Sequence, residues 1–83
     1  MTELHIASFI VRARADAAAE VARRITSLEG AEVHAVEGGK IIVVVEAPSE
    51  HGLADRMDDL RELPDVLMVN LVYHHADSQP ELE

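Results

Sequence analysis

Residues 31–47, AEVHAVEGGKIIVVVEA, decide the fold of this chain. Two segments rich in β-branched residues, 31–37 and 40–47, flank Gly38-Gly39. Two strands around a two-residue Gly-Gly turn make a β-hairpin, because both glycines accept positive φ without penalty. The run Ile41–Val45 is apolar on both parities, so this strand is expected to be central in its sheet and at least partly covered on both faces.

On the N-terminal side, residues 4–12 (LHIASFIVR) read as a strand whose core face is Ala7, Phe9 and Val11. From Asp16 to Leu28 the period changes. Ala18, Val21, Ile25 and Leu28 form an apolar helix stripe, with Asp16 placed to cap the start and Gly30 to follow the end. On the C-terminal side, Ser49 opens a second helix with Glu50 in its first turn and Leu53, Met57 and Leu60 on one face. Leu63-Pro64-Asp65 stops it. Residues 66–75 (VLMVNLVYHH) form a last strand, with Val66, Met68, Asn70, Val72 and His74 on one parity.

The order is β-α-β-β-α-β. With right-handed crossovers it predicts a ferredoxin-like α+β fold: a four-stranded antiparallel sheet in the order 4-1-3-2, with two helices on one face. Residues 1–75 form the single domain, and residues 76–83 are expected to be a disordered acidic tail.

The composition narrows the function. At 83 residues the chain has room for one domain with a thin core. It has no cysteine, which excludes disulfide scaffolds, thiolate metal sites and thiol catalysis. A net charge of −9 opposes nucleic acid and anionic membranes and favours cationic partners. The first residues lack the basic start of a secretory signal, and no apolar run is long enough to span a membrane. The chain is therefore expected in the cytoplasm, with no nucleic-acid partner and no membrane insertion. Arg23-Arg24 lies within the first helix and reads as a solvated helix face.

Helices on one side leave the other sheet face open. That face is expected to carry Ile6, Ser8, Ile10, Ile42, Val44, Glu46, Met68, Asn70 and Val72. This set is more apolar than a solvated sheet face, which marks an interaction surface for a partner or a second copy. Catalytic signatures are lacking. The four serines have no histidine at a telling spacing, and Gly38-Gly39 is no phosphate loop. Adjacent strand residues point to opposite faces, so His74-His75 cannot chelate one metal as a pair. His5 could join one of them with a carboxylate to hold Zn²⁺. No spacing here is a metal motif, so the histidines are read as hydrogen-bonded strand-end residues and no metal is assigned. These features describe a small acidic binding module rather than an enzyme.

The segments IASFIVRAR (6–14), LEGAEVHAVEGGKIIVVVEA (28–47) and PDVLMVNLVYHH (64–75) carry a family resemblance. Over roughly residues 4–75 the chain resembles the NapD family, cytoplasmic assembly chaperones of the periplasmic nitrate reductase. The resemblance implies the ferredoxin-like fold. It also implies a chaperone that binds the twin-arginine signal peptide of the reductase catalytic subunit and delays export until the molybdenum cofactor is inserted. The resemblance implies that the chaperone itself carries no cofactor, and a monomer or weak dimer is expected. Parity then puts Ser8, Ile10, Ile42, Val44, Met68 and Val72 under the peptide, with Glu46, Asn70, His74 and also Glu32 toward its arginines. Arg12 and Arg14 would not attract a basic peptide. The alternative is a dimeric regulatory domain of the same fold that senses a small molecule. Its generic turns fit Leu28-Glu29-Gly30 and Leu63-Pro64-Asp65-Val66 equally well.

Overall fold

The computed structural model describes residues 2–79, with side chains described over residues 4–76. The elements are β1 (Thr2–Ala13), a 3₁₀ turn (Ala15–Ala17), α1 (Ala18–Ile25), β2 (Ala31–Glu37), β3 (Lys40–Ala47), α2 (Glu50–Glu62) and β4 (Val66–Gln79). All strands join one antiparallel sheet in the order β2-β3-β1-β4, which is 4-1-3-2 read from the other edge. This is the expected ferredoxin-like fold.

The central strands bury one parity each. Ala7, Phe9, Val11 and Ala13 of β1 and Ile41, Val43, Val45 and Ala47 of β3 meet Ala18, Val21 and Ile25 of α1 and Leu53 and Leu60 of α2. Complete burial of a side chain such as Phe9, Ile25 or Leu60 stabilises the fold by about 1.5–3 kcal/mol. The opposite parity of β1 and β3 is only half-buried at Ile6, Ser8, Ile10, Ile42 and Val44, because no helix covers it.

The hairpin turn forms between Glu37 and Lys40, with a division of labour between its glycines. Only Gly38 takes a positive φ, +61°. Gly39 is needed for space, because a Cβ there would run into the Ala13 carbonyl oxygen. Its own carbonyl accepts the Ala13 N–H at 2.8 Å, tying the turn to β1.

Two helix starts were predicted, and one differs. Ser49 caps α2, its Oγ accepting the Gly52 N–H at 3.0 Å. Asp16 does not cap α1. It lies in the 3₁₀ turn with its carboxylate on Arg14 at 3.0 Å, and α1 proper starts at Ala18 and ends at Ile25. Leu28 lies beyond the helix and reaches the core edge from the following turn.

The domain also runs further than expected. β4 continues past residue 75 to Gln79, which pairs with Thr2. Extended backbone there satisfies its hydrogen bonds on the N-terminal part of β1, so residues 76–79 belong to the sheet. Residues 80–83 of the expected tail lie outside the described residues.

Candidate functional site

The strand register fixes which residues share the open face. Paired residues project to the same side of a sheet, so each row can be read across the strands. The end row is Glu46, Ile6 and His75, and the next is Glu32, Val44, Ser8 and Tyr73. The third row is Ala35, Ile42, Ile10 and Asn70, and the last is Glu37, Lys40, Arg12 and Met68. The expected residues Ser8, Ile10, Ile42, Val44, Glu46, Met68 and Asn70 therefore meet on one surface. Asn70 Nδ2 lies 3.2 Å from Met68 Sδ within it.

His74 is not on that surface, which corrects the parity reading. The β1–β4 register shifts between Ser8 and Phe9: Ser8 pairs with Tyr73, whereas Phe9 pairs with Leu71. Val72 is the extra residue of this bulge, and beyond it every β4 side chain changes face. Tyr73 and His75 thus take the open face, their rings stacked at a centroid distance of 6.3 Å. His74 pairs with Ala7 on the helix side. Val72 stays exposed at the bulge, 60% accessible. Among the described residues, every exposed large hydrophobic except Val36 lies on β4: Leu67, Met68, Leu71, Val72 and Tyr73. Sequence reasoning missed Tyr73 and His75, because simple alternation contains no term for an extra residue.

The charges are sorted along the strands. Glu46 and Glu32 occupy one end of the face, diagonal neighbours on β3 and β2. At the edge of this end, Glu29 and Glu46 line a recess with Ala47, Pro48, Gly52 and the guanidinium-bearing Arg56 of α2. Gly30 shapes this corner. Its φ is +79°, its carbonyl accepts the Glu46 N–H at 2.9 Å, and a Cβ would strike the Glu46 carbonyl oxygen. Lys40 and Arg12 lie at the opposite end. The face is therefore acidic at one end, apolar in the middle and mixed to basic at the other.

Arg23 and Arg24 stay on the exposed face of α1, both on Glu20 at 2.6 and 3.0 Å. The hydrogen bond from Arg23 holds the Glu20 carboxyl below its ordinary range, and Glu20 in turn raises the Arg23 guanidinium.

On the helix side, His5 is buried and its Nδ1 lies 3.2 Å from His74 Nε2, the rings stacked at 5.5 Å. Of the strand-end histidines, His5 and His74 form a hydrogen-bonded pair, whereas His75 stacks on Tyr73 on the other face. A cleft of about 240 Å³ opens beside them, lined by Ala7, Phe9, Glu50, Leu53, Ala54, Met57, Leu71 and His74.

Fold and face together define a small acidic ferredoxin-like domain whose uncovered sheet surface is apolar with one acidic end. The family model for NapD protein matches residues 4–78, and the chain belongs to that family. It is 43% identical over 80 residues to the chaperone NapD of Paracoccus pantotrophus, covering 96% of this chain and 71% of that one. With the chaperone NapD of Escherichia coli (strain K12) it shares 30% identity over 82 residues, covering 96% of this chain and 94% of that one. The solution structure of the E. coli Tat proofreading chaperone NapD superposes with a TM-score of 0.81 at 29% identity, over 96% of this chain and 86% of that one. A transcriptional regulatory protein of the AsnC family from Pyrococcus furiosus superposes with a TM-score of 0.68 at 13% identity, over 94% of this chain and 53% of that one. That second likeness is one of fold alone. Family membership makes this chain a chaperone.

Proposed function

We propose that this chain binds the twin-arginine signal peptide of the periplasmic nitrate reductase precursor in the cytoplasm. Occupancy delays export until the molybdenum cofactor has been inserted into the catalytic subunit. The chain acts by binding alone. The observation that carries this reading is the sorted open face: an acidic end formed by Glu32 and Glu46 beside an apolar strip of Ile6, Ile10, Ile42 and Val44. A twin-arginine peptide has the complementary order, a cationic segment followed by an apolar one.

The same polarity orients the peptide. Its arginines dock at the Glu46 end and its apolar segment runs toward Ile42 and Ile10. Arg12 and Lys40 at the far end repel the reverse orientation. Tyr73 and Val72 extend the apolar strip onto β4, and Met68 and Asn70 border its distal end. The E. coli relative of known structure is a Tat proofreading chaperone, in keeping with this assignment.

Calorimetric titration with the cognate signal peptide, beside a variant with both arginines replaced by lysine, tests the proposal. Saturable one-to-one binding that weakens in the lysine variant is expected. A folded sample that binds neither peptide overturns it.

A further inference from the structure

We propose that His5, His74 and Glu50 form a divalent transition-metal site, with Zn²⁺ as its natural size and charge class. One ligand atom from each of the three lies within 4.8 Å of the other two. The β1–β4 register produces this convergence. His5 pairs with Ala76 and His74 with Ala7, so the two imidazoles are diagonal neighbours on the helix-covered face. Glu50 arrives from the first turn of α2, immediately after the Ser49 cap that fixes the start of that helix.

The distances suit a metal. Two nitrogens bound to tetrahedral Zn²⁺ at about 2.0–2.1 Å are separated by about 3.3 Å, and His5 Nδ1 stands 3.2 Å from His74 Nε2. The nitrogen pair already has the length of a coordination edge. Glu50 is exposed and its flexible side chain closes the third corner with a rotamer change. Two neutral imidazoles and one carboxylate are a borderline donor set, which favours Zn²⁺, Ni²⁺ or Cu²⁺ over the all-oxygen preference of Mg²⁺ and Ca²⁺. Three protein ligands would leave a fourth position for water, and Glu50 and His74 also line the cleft beside α2. The site lies on the surface opposite the open sheet face, so its existence does not depend on the peptide reading. An ion bound there would join β1, β4 and α2 at one point and stabilise the folded state by mass action.

The test uses tag-free protein freed of metal with a chelator, titrated with Zn²⁺ while the melting temperature is followed, and with Co²⁺ while visible absorption is followed. One equivalent of Zn²⁺ is expected to raise the melting temperature saturably, Mg²⁺ to leave it unchanged, and Co²⁺ to give the intense absorption of a four-coordinate site. His74→Gln and Glu50→Gln, both at exposed positions, are expected to weaken binding about tenfold or more. The His51→Gln variant removes a competing pair, since His51 Nε2 lies 3.8 Å from Asp55 on the exposed side of α2, and is expected to bind as the parent does. Binding lost in His51→Gln but kept in His74→Gln overturns the proposal. So does the absence of a saturable shift with Zn²⁺ in a folded sample, which would leave the histidines as a hydrogen-bonded pair only.

Discussion

Tyr73 of β4 pairs with Ser8 of β1, one residue out of step with the Phe9–Leu71 pair that follows. The bulge at Val72 absorbs that step. It delivers the one tyrosine of a chain without tryptophan to the open face, 54% accessible. Tyr73 is therefore a built-in reporter. Its fluorescence is expected to change when a signal peptide lacking aromatic residues binds, and Tyr73→Ser is expected to weaken that binding several-fold at little cost in stability. An unchanged signal on saturation would place the peptide away from β4.

Val44 and Val43 are neighbours in β3 with opposite fates. Val44 is half-exposed on the open face, whereas Val43 is fully buried beneath the helices. Val44→Asp is expected to abolish peptide binding and to cost roughly 1–3 kcal/mol of stability while leaving the protein folded. Val43→Asp is expected to unfold the protein, because it buries an unpaired charge. Chemical denaturation of both variants beside peptide titration distinguishes the two faces of the strand.

In the proposed complex, Glu46 and Glu32 supply the electrostatic half of the binding. Glu46→Gln and Glu32→Gln are each expected to weaken the twin-arginine peptide by a few-fold, and the parent affinity to fall with added salt as screening shortens the reach of exposed charges. A paramagnetic label at the N-terminal end of the peptide is expected to broaden the amide resonances of Glu46 and Ala31, not those of Lys40 and Arg12. Broadening at the Lys40 end would reverse the proposed orientation.

Gly39 and Gly30 serve as spacers rather than as flexible points. Gly39→Ala drives a Cβ into the Ala13 carbonyl and Gly30→Ala one into the Glu46 carbonyl. Each is expected to cost roughly 2 kcal/mol or more in thermal or chemical denaturation. Gly38 has open space and needs only its positive φ. Gly38→Asn is therefore expected to stay within about 1 kcal/mol of the parent.

Glu20 links stability to pH. Its folded-state carboxyl lies below the ordinary value of 4.5 because Arg23 donates to the charged form. Its contribution is present above that value and is lost as pH falls below it. The melting-temperature difference between the parent and Glu20→Gln is expected to be small and positive at neutral pH and to vanish on acidification. A difference that persists in acid would assign the effect to something other than the ion pair.

Much of this was legible along the chain. The Gly-Gly hairpin, the apolar run at 41–45 and the alternation of Ala7, Phe9 and Val11 specify local geometry, and the sheet order follows from the handedness of crossovers. The apolar parity of Ile10, Ile42 and Val44 was readable for the same reason, since these residues lie on central strands paired on both sides. The start of α1 was less legible. Asp16 has the chemistry of a cap, but Arg14 two residues earlier takes its carboxylate and the helix begins two residues later.

The sequence alone determined the elements, their order, the core parity and the acidic, apolar character of the uncovered face, because each rests on periodicity or composition within one segment. Tertiary structure alone decided which way Tyr73, His74 and His75 point. A bulge is a property of two strands in register. The long β1–β4 ladder joins residues more than fifty positions apart, and it shifts at Val72 by one residue. That single shift moves His74 to His5 and Glu50, and Tyr73 to the open face.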